Sequence, residues 1–399
     1  MSESLSPEAV AKQRRTGMTL LIAVGLIAML AVSFAIRGYL LRQNSVNRDF
    51  ISYWSTGKML AAHHNPYDRA AIFALERSQG ATYQRPYIMR NPPWALILSW
   101  PLAAFSAPTA ALVWMIAIIV AALGCIQLLR PPGLKTLPLT LIFFAPSLIC
   151  VGAEQTSIFV LLGLALFMRL LERRPFLAGL ALTLATLKPH LLLIFWPVLL
   201  LEVARRRQWS VLAGMAVGVG AGMAAALWFD PHVWSHYFAA MGAENMAGGY
   251  YPNLPSILAL LVAPHSLWPE AIPTVAGLAF AGWYWARQRK QWDWRWHGAM
   301  VLAISVVTAP YSWPFDQVLY LPAMFVSLKR VPKRAVMVLA AANIVALAIY
   351  AKSPVLGDVR YWWMAPAWMV WCVYAYTRPE TGTREEKAPA AAKTSMVSR

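Results

Sequence analysis

Long apolar runs alternate along this chain with short polar clusters, and that alternation sets the expected architecture. Residues 17–36, "GMTLLIAVGLIAMLAVSFAI", are uncharged and have the length of about 20 residues that a helix needs to cross a bilayer core. The run lacks a small-residue cleavage site and many more apolar runs follow it, so it reads as a span rather than a signal peptide. Basic clusters punctuate the runs at Arg14-Arg15, Arg130 to Lys135, Arg173-Arg174, Arg205 to Arg207, Arg287 to Lys290 and Lys329 to Arg334. Such clusters mark the cytoplasmic ends of spans, so each stretch between them is expected to be a hairpin whose tip lies on the other side. The tips are "GAEQTS" (152–157), "LKPH" (187–190), the stretch 230–255, "APYSWPFDQ" (309–317) and "KSPVLGDVR" (352–360).

The pattern predicts an all-α integral membrane protein, a multi-pass bundle of about twelve transmembrane helices. Residues 1–16 form a cytoplasmic N-terminal segment, 17–377 the membrane domain, and 378–399 a polar, Pro/Ala-rich, disordered cytoplasmic tail. Within the membrane domain, 37–91 is an outer first loop. There "DFISYWSTGKMLAAHH" and "DRAAIFALERSQG" are expected to form short amphipathic helices lying at the interface. Residues 94–107 and 108–129 resemble two spans, which would leave Arg130 on the outer side. Either the first is re-entrant or that cluster departs from the charge rule, and 254–264 is equally ambiguous. No internal repeat is evident, which weighs against a transporter built from two repeated halves.

Composition agrees. The chain is 59% hydrophobic with a mean hydropathy of +0.50, and its 13% charged residues fall well below the roughly 25% of a soluble domain. The net charge of +18 would otherwise point to nucleic acid, but the Lys and Arg residues sit at the ends of apolar runs and form no basic stripe in a soluble module. Cys125, Cys150 and Cys372 stand singly in apolar runs without CxxC or His spacing and read as small core residues.

Polar residues in this setting are functional candidates, although many can snorkel at span ends. Asp49, after Arg48, has a bland reading as a helix N-cap. Beside Phe50, Tyr53 and Trp54 on a membrane-apposed segment, its favoured reading is a general base toward a hydroxyl. Lys188 interrupts an apolar hairpin just before Pro189, which ends the helix. Its ammonium is expected to be recessed in the bundle and to bind a phosphate or other anion. Arg90, ahead of "NPP", can clamp a phosphate or anchor at the interface. Glu154, Gln155 and Asp316 are tip residues that serve either as turn and cap groups or as substrate contacts, and Trp313 in "YSWPFD" lies with them. His63 and His64 are sequence neighbours, point about 100° apart on a helix and are assigned no metal.

In their order, "DFxxYWxxG…NPYD" (49–68), "RNPPW" (90–94), "GAEQTS", "AGLALTLATLKPH" (178–190) and "PYSWPFDQVLYLP" (310–322) resemble glycosyltransferase family 87. These are GT-C-type integral membrane enzymes and include the polyprenol-phosphate-mannose-dependent mannosyltransferases. The resemblance runs over about residues 17–377. It implies a GT-C-type bundle that transfers a hexose, mannose being one candidate, from a polyprenyl-phosphate donor to a hydroxyl of a lipid or glycan acceptor, with inversion. The reaction would take place on the outer face of the cell membrane, here expected to be a bacterial inner membrane with a periplasmic or extracellular active face. The family's catalytic Asp matches Asp49, its "KP" lysine matches Lys188, and its "GQ" motif matches Gln155, with "AEQ" replacing the usual spacing. Where many members carry a His after "SW", this chain has Pro314, Phe315 and Asp316.

An inverting displacement needs one base, and the leaving phosphate needs cations. Asp49 is expected to supply the first, and Lys188 with Arg90 or Arg48 the second; Tyr53, Glu154, Gln155, Trp313 and Asp316 are expected to contact substrate. No obligatory cofactor is expected, since no carboxylate cluster has metal-ligand spacing, although Asp49 could converge with Asp316 or Glu154 around a divalent ion. The competing readings are a transporter or flippase of lipid-linked sugars, which would use Lys188 as a substrate or proton site, and a scaffold subunit. No nucleic-acid partner is expected.

Overall fold

The computed structural model describes residues 49–131, 139–242, 251–264, 266, 268–353 and 355–379. Among them all regular structure is helical. The first expected span, with Arg14, Arg15 and Arg48, lies outside the described residues, as does the tail from 380 onward. Three described helices are long and apolar enough to cross a membrane: Ala107–Leu129, Trp209–Phe229 and Lys333–Lys352.

Elsewhere the apolar runs are broken into shorter pieces, and proline opens many of them. Prolines stand in the first turn of Ala145–Gly152, Pro175–Ala185, Pro189–Leu192, Leu254–Val262 and Leu321–Ser327. Proline fits that position because it needs no N–H partner there, and it disfavours helix in the residue before it. Residues 94–107, expected as a possible span, instead fold as two 3-10 helices, Pro93–Leu98 and Trp100–Ala104, each opened by proline. The ambiguous stretch 254–264 holds Leu254–Val262, whose nine residues cover about 14 Å at helical rise, half of a bilayer core.

Broken helices leave backbone donors and acceptors without intrahelical partners, and in a membrane protein neighbouring elements must supply them. Asn343 of Lys333–Lys352 accepts from the Ala145 N–H at 2.7 Å. The Ser305 hydroxyl accepts from the Ile194 N–H at 3.2 Å, and the Thr274 hydroxyl donates to the Thr308 carbonyl at 2.6 Å. At a basic cluster, buried Glu202 receives Arg205 Nε at 2.8 Å and Trp285 Nε1 at 3.0 Å.

The outer segment forms helices Phe50–Ala61 and Arg69–Ser78. Asp68 of "NPYD" caps the second, accepting from the Ala70 and Ala71 N–H groups at 3.0 and 3.1 Å. The first helix is buried along nearly its whole length, so it does not lie on a membrane surface with one face exposed. Contacts distant in sequence draw it in. A Cβ on Gly57 would sit 2.2 Å from the Ser99 carbonyl oxygen, Lys58 Nζ donates to the Ala103 carbonyl at 2.7 Å, and Trp54 Nε1 to that of Phe105 at 3.1 Å.

Trp209–Phe229 packs along Pro175–Ala185, which packs along Ser157–Leu170. Lipid offers little hydrophobic drive between helices, so small residues that permit close backbone approach decide such contacts. A Cβ on Gly179 would lie 1.8 Å from the Val211 carbonyl oxygen, and one on Gly214 would lie 2.0 Å from that of Phe176. Gly179→Val is therefore expected to destabilise the purified protein by about 3 kcal/mol or more, read as a lowered melting temperature in detergent. Gly220→Ala, with nothing within 4 Å of its added Cβ, should melt like wild type.

Candidate active site

The polar tips meet. A cavity of about 920 Å³ is bordered by Asp49, Ser52 and Tyr53, by residues 86–92, by Ala153 and Gln155, by residues 187–190, by Tyr311, Trp313, Phe315 and Asp316, and by Tyr350 and residues 355–357.

Asp49 occupies the N-cap position of Phe50–Ala61, yet its side chain makes no capping bond. Its Oδ2 instead accepts from Gln155 Nε2. Gln155 reaches the cavity because Glu154 takes a left-handed conformation, φ 58°, at the end of Ala145–Gly152. That conformation costs a non-glycine residue on the order of 1 kcal/mol, and a bond from Trp114 Nε1 to the Glu154 carbonyl at 2.9 Å holds it. The same turn carries the Glu154 side chain, expected at the tip as a substrate contact, into the packing at 2% exposure and off the cavity wall.

Lys188 sits where the chain unwinds between Pro175–Ala185 and Pro189–Leu192. It is recessed, with 12% of its side chain exposed, and its Nζ lies 2.8 Å from Asp316 Oδ1. It also donates to Ser157 Oγ at 2.9 Å and to Gln155 Oε1 at 3.0 Å, and stands 4.5 Å from the centre of the Phe315 ring. Asp316 borders the cavity but has no exposed surface. Its Oδ1 also accepts from Ser157 Oγ, and its Oδ2 accepts from the Trp313 N–H at 2.9 Å. Its oxygens thus face protein donors rather than the open cavity, which argues against a direct substrate contact.

Tyr53 lies on the other side of Gln155, with its hydroxyl 3.5 Å from Oε1. Burial, and after it the Asp49 carboxylate, push this phenol well above its ordinary pKa, so it remains a neutral donor. Arg90 is exposed on the cavity. The next residue fixes its segment, since Asn91 Nδ2 donates to the Leu187 carbonyl at 2.8 Å, and Trp94 Nε1 donates to Thr186 Oγ1 at 2.9 Å. Trp313 is half-buried on the wall, stacked on Phe315 and edge-on to Tyr251.

The sequence reading passed over Ser157, Asn91, His190 and Tyr311. The last two stack at 3.9 Å, with the Tyr311 hydroxyl 3.1 Å from His190 Nδ1. Each belongs to a motif already singled out, and that adjacency was the available signal. Among the described residues no group of three or more His, Cys, Asp or Glu side chains is arranged to hold a metal ion.

The sequence profile of glycosyltransferase family 87 matches residues 90–310, more than half of the chain. The chain belongs to glycosyltransferase family 87. No curated protein and no solved structure matches it. Family 87 membership, with the apolar helices, makes the protein a membrane glycosyltransferase that uses a sugar donor and an acceptor. The family 87 match includes Arg90, Gln155 and Lys188 but begins after Asp49 and ends before Trp313 and Asp316. Those three residues join the site through the fold.

One wall of the cavity rests on a buried carboxyl. Glu76 of Arg69–Ser78 is fully buried, and both of its oxygens accept from the Tyr87 N–H at 3.2 Å. Burial raises its pKa from 4.5 to about 7. With the folded value above the unfolded one, its contribution to stability is present below pH 4.5 and is lost as pH rises through 7. Glu76→Gln keeps an acceptor without the charge. The variant is expected to melt above wild type at pH 8 and level with it near pH 4.5, as checked by thermal unfolding across that range.

Proposed function

We propose that this membrane glycosyltransferase moves a hexose, mannose being one candidate, from a polyprenyl-phosphate donor to a hydroxyl of a lipid or glycan acceptor, with inversion, on the outer face of a cell membrane. The observation that carries the reading is the presence of an oriented carboxylate, Asp49, and an exposed guanidinium, Arg90, on one cavity. The Asp49 carboxylate takes the proton of the acceptor hydroxyl as that oxygen attacks the anomeric carbon. The bond from that carbon to the phosphate oxygen breaks on the opposite side, and its electrons leave with the polyprenyl phosphate. One base and no covalent intermediate give inversion. Arg90 meets the charge that builds on the departing phosphate and can do so with two parallel N–H bonds. Tyr311 and Trp313 offer aromatic surface to the sugar rings, while the polyprenyl chain remains in the bilayer.

The test incubates purified full-length protein with a panel of polyprenyl-phosphate hexoses and membrane lipid extracts, and mass spectrometry identifies new glycolipids. Asp49→Asn is expected to lower transfer by about 10² to 10⁴ while the protein still inserts and melts like wild type. Full activity in that variant would remove Asp49 as the base. Movement of lipid-linked sugar across proteoliposomes without transfer to any acceptor would replace the enzyme reading with a transporter.

A further inference from the structure

We infer that Lys188 and Asp316 are positioning residues that orient Asp49 through Gln155, and that Lys188 does not bind the donor phosphate. This rests on the reading of Asp49 as the base. An ammonium has three donors and no acceptor, and a carboxylate has acceptors alone. The three donors of Lys188 go to Asp316, Ser157 and Gln155 at 2.8, 2.9 and 3.0 Å. The atom of Gln155 that faces Lys188 must therefore be its oxygen, and the Tyr53 hydroxyl approaches that same oxygen. The amide nitrogen is left to face Asp49 Oδ2. A reversed amide would set N–H against the ammonium and oxygen against the carboxylate, so Lys188 allows one orientation. Asp316 in turn fixes Lys188, because a carboxylate with no exposed surface needs its cation.

Two consequences follow. For Lys188 to reach a phosphate it would have to desert at least one of these partners, and loss of the Asp316 contact would strand a buried charge. Gln155 also stands between Lys188 and Asp49, so that its amide N–H rather than the ammonium is what bonds the carboxylate.

The experiment compares Gln155→Met, the double variant Lys188→Met with Asp316→Asn, their combination, and Arg90→Ala. The readouts are kcat, donor KM and affinity for a polyprenyl monophosphate in nanodiscs. The double variant is used because it removes both charges, whereas Lys188→Met alone leaves Asp316 unpaired and endangers folding. Gln155→Met and the double variant are each expected to lower kcat about a hundredfold, the scale of a misplaced catalytic group, with donor KM and monophosphate affinity within about threefold of wild type. Their combination should lose no more than either, because residues acting as a unit are non-additive. Arg90→Ala should weaken monophosphate binding about tenfold, as expected for loss of a charged contact.

If the double variant loses about tenfold in monophosphate affinity and keeps its kcat, Lys188 is a phosphate ligand and the inference falls. Additive losses in the combination overturn it as well. A wild type that transfers no sugar from any donor in the panel overturns the base reading, and this inference with it.

Discussion

The recessed ammonium of Lys188 can face acceptors alone, and three parts of the chain are held in register by that demand. Gln155 and Ser157 come from the tip that opens Ser157–Leu170, Lys188 from the break before Pro189–Leu192, and Asp316 from the start of a 3-10 helix. Little water is available there to replace a lost partner, since the Lys188 side chain is 12% exposed and that of Asp316 not at all. A half-satisfied version of such a network is worse than an apolar one, so the segments close together or not at all. The cavity takes its shape from that closure.

The same demand explains why so many helices are short. Non-helical backbone at membrane depth is tolerated where it is buried in protein or lines a cavity. Here the breaks at 153–156 and 186–189 do line one, and the left-handed Glu154 at the first and Pro189 at the second set where side chains can turn inward. Groups freed elsewhere are met by Asn343, Ser305 and Thr274 from neighbouring helices. Close contacts at Gly179 and Gly214 bring Pro175–Ala185 and Trp209–Phe229 together. The first of these helices leads directly to Lys188, so its packing fixes the base of the break.

Asp49, Arg90, Gln155, Lys188 and Asp316 were legible as one group because each interrupts the apolar pattern between basic clusters, and periodicity carries that signal. Which way each side chain points was not legible. Glu154 and Gln155 are adjacent and equally polar, and a single left-handed φ at Glu154 separates them. The burial of Phe50–Ala61 rests on Gly57 meeting Ser99 and on Lys58 meeting Ala103, pairings more than forty residues apart that no local pattern encodes. Residues 94–107 had the hydropathy of a span, but Pro93 and Pro101 imposed 3-10 turns. In each case a tertiary contact or a backbone constraint overrode composition.

Two aspartates border the cavity, and their surroundings give them different work. Asp316 receives Lys188, Ser157 and the Trp313 N–H and has no exposed surface. Asp49 stands at a helix start with helical φ and ψ, unlike the capping Asp68, and its side chain makes no capping bond. Its carboxylate is turned instead toward an amide that a lysine holds in place. A side chain whose amide partner lies a hundred residues away is being aimed by the fold. That aim is what the proposed role of Asp49 as a base asks of it. The difference between Asp49 and Asp316 therefore follows from what each is bonded to, and under the proposed inverting transfer it leaves one carboxylate for the one base required.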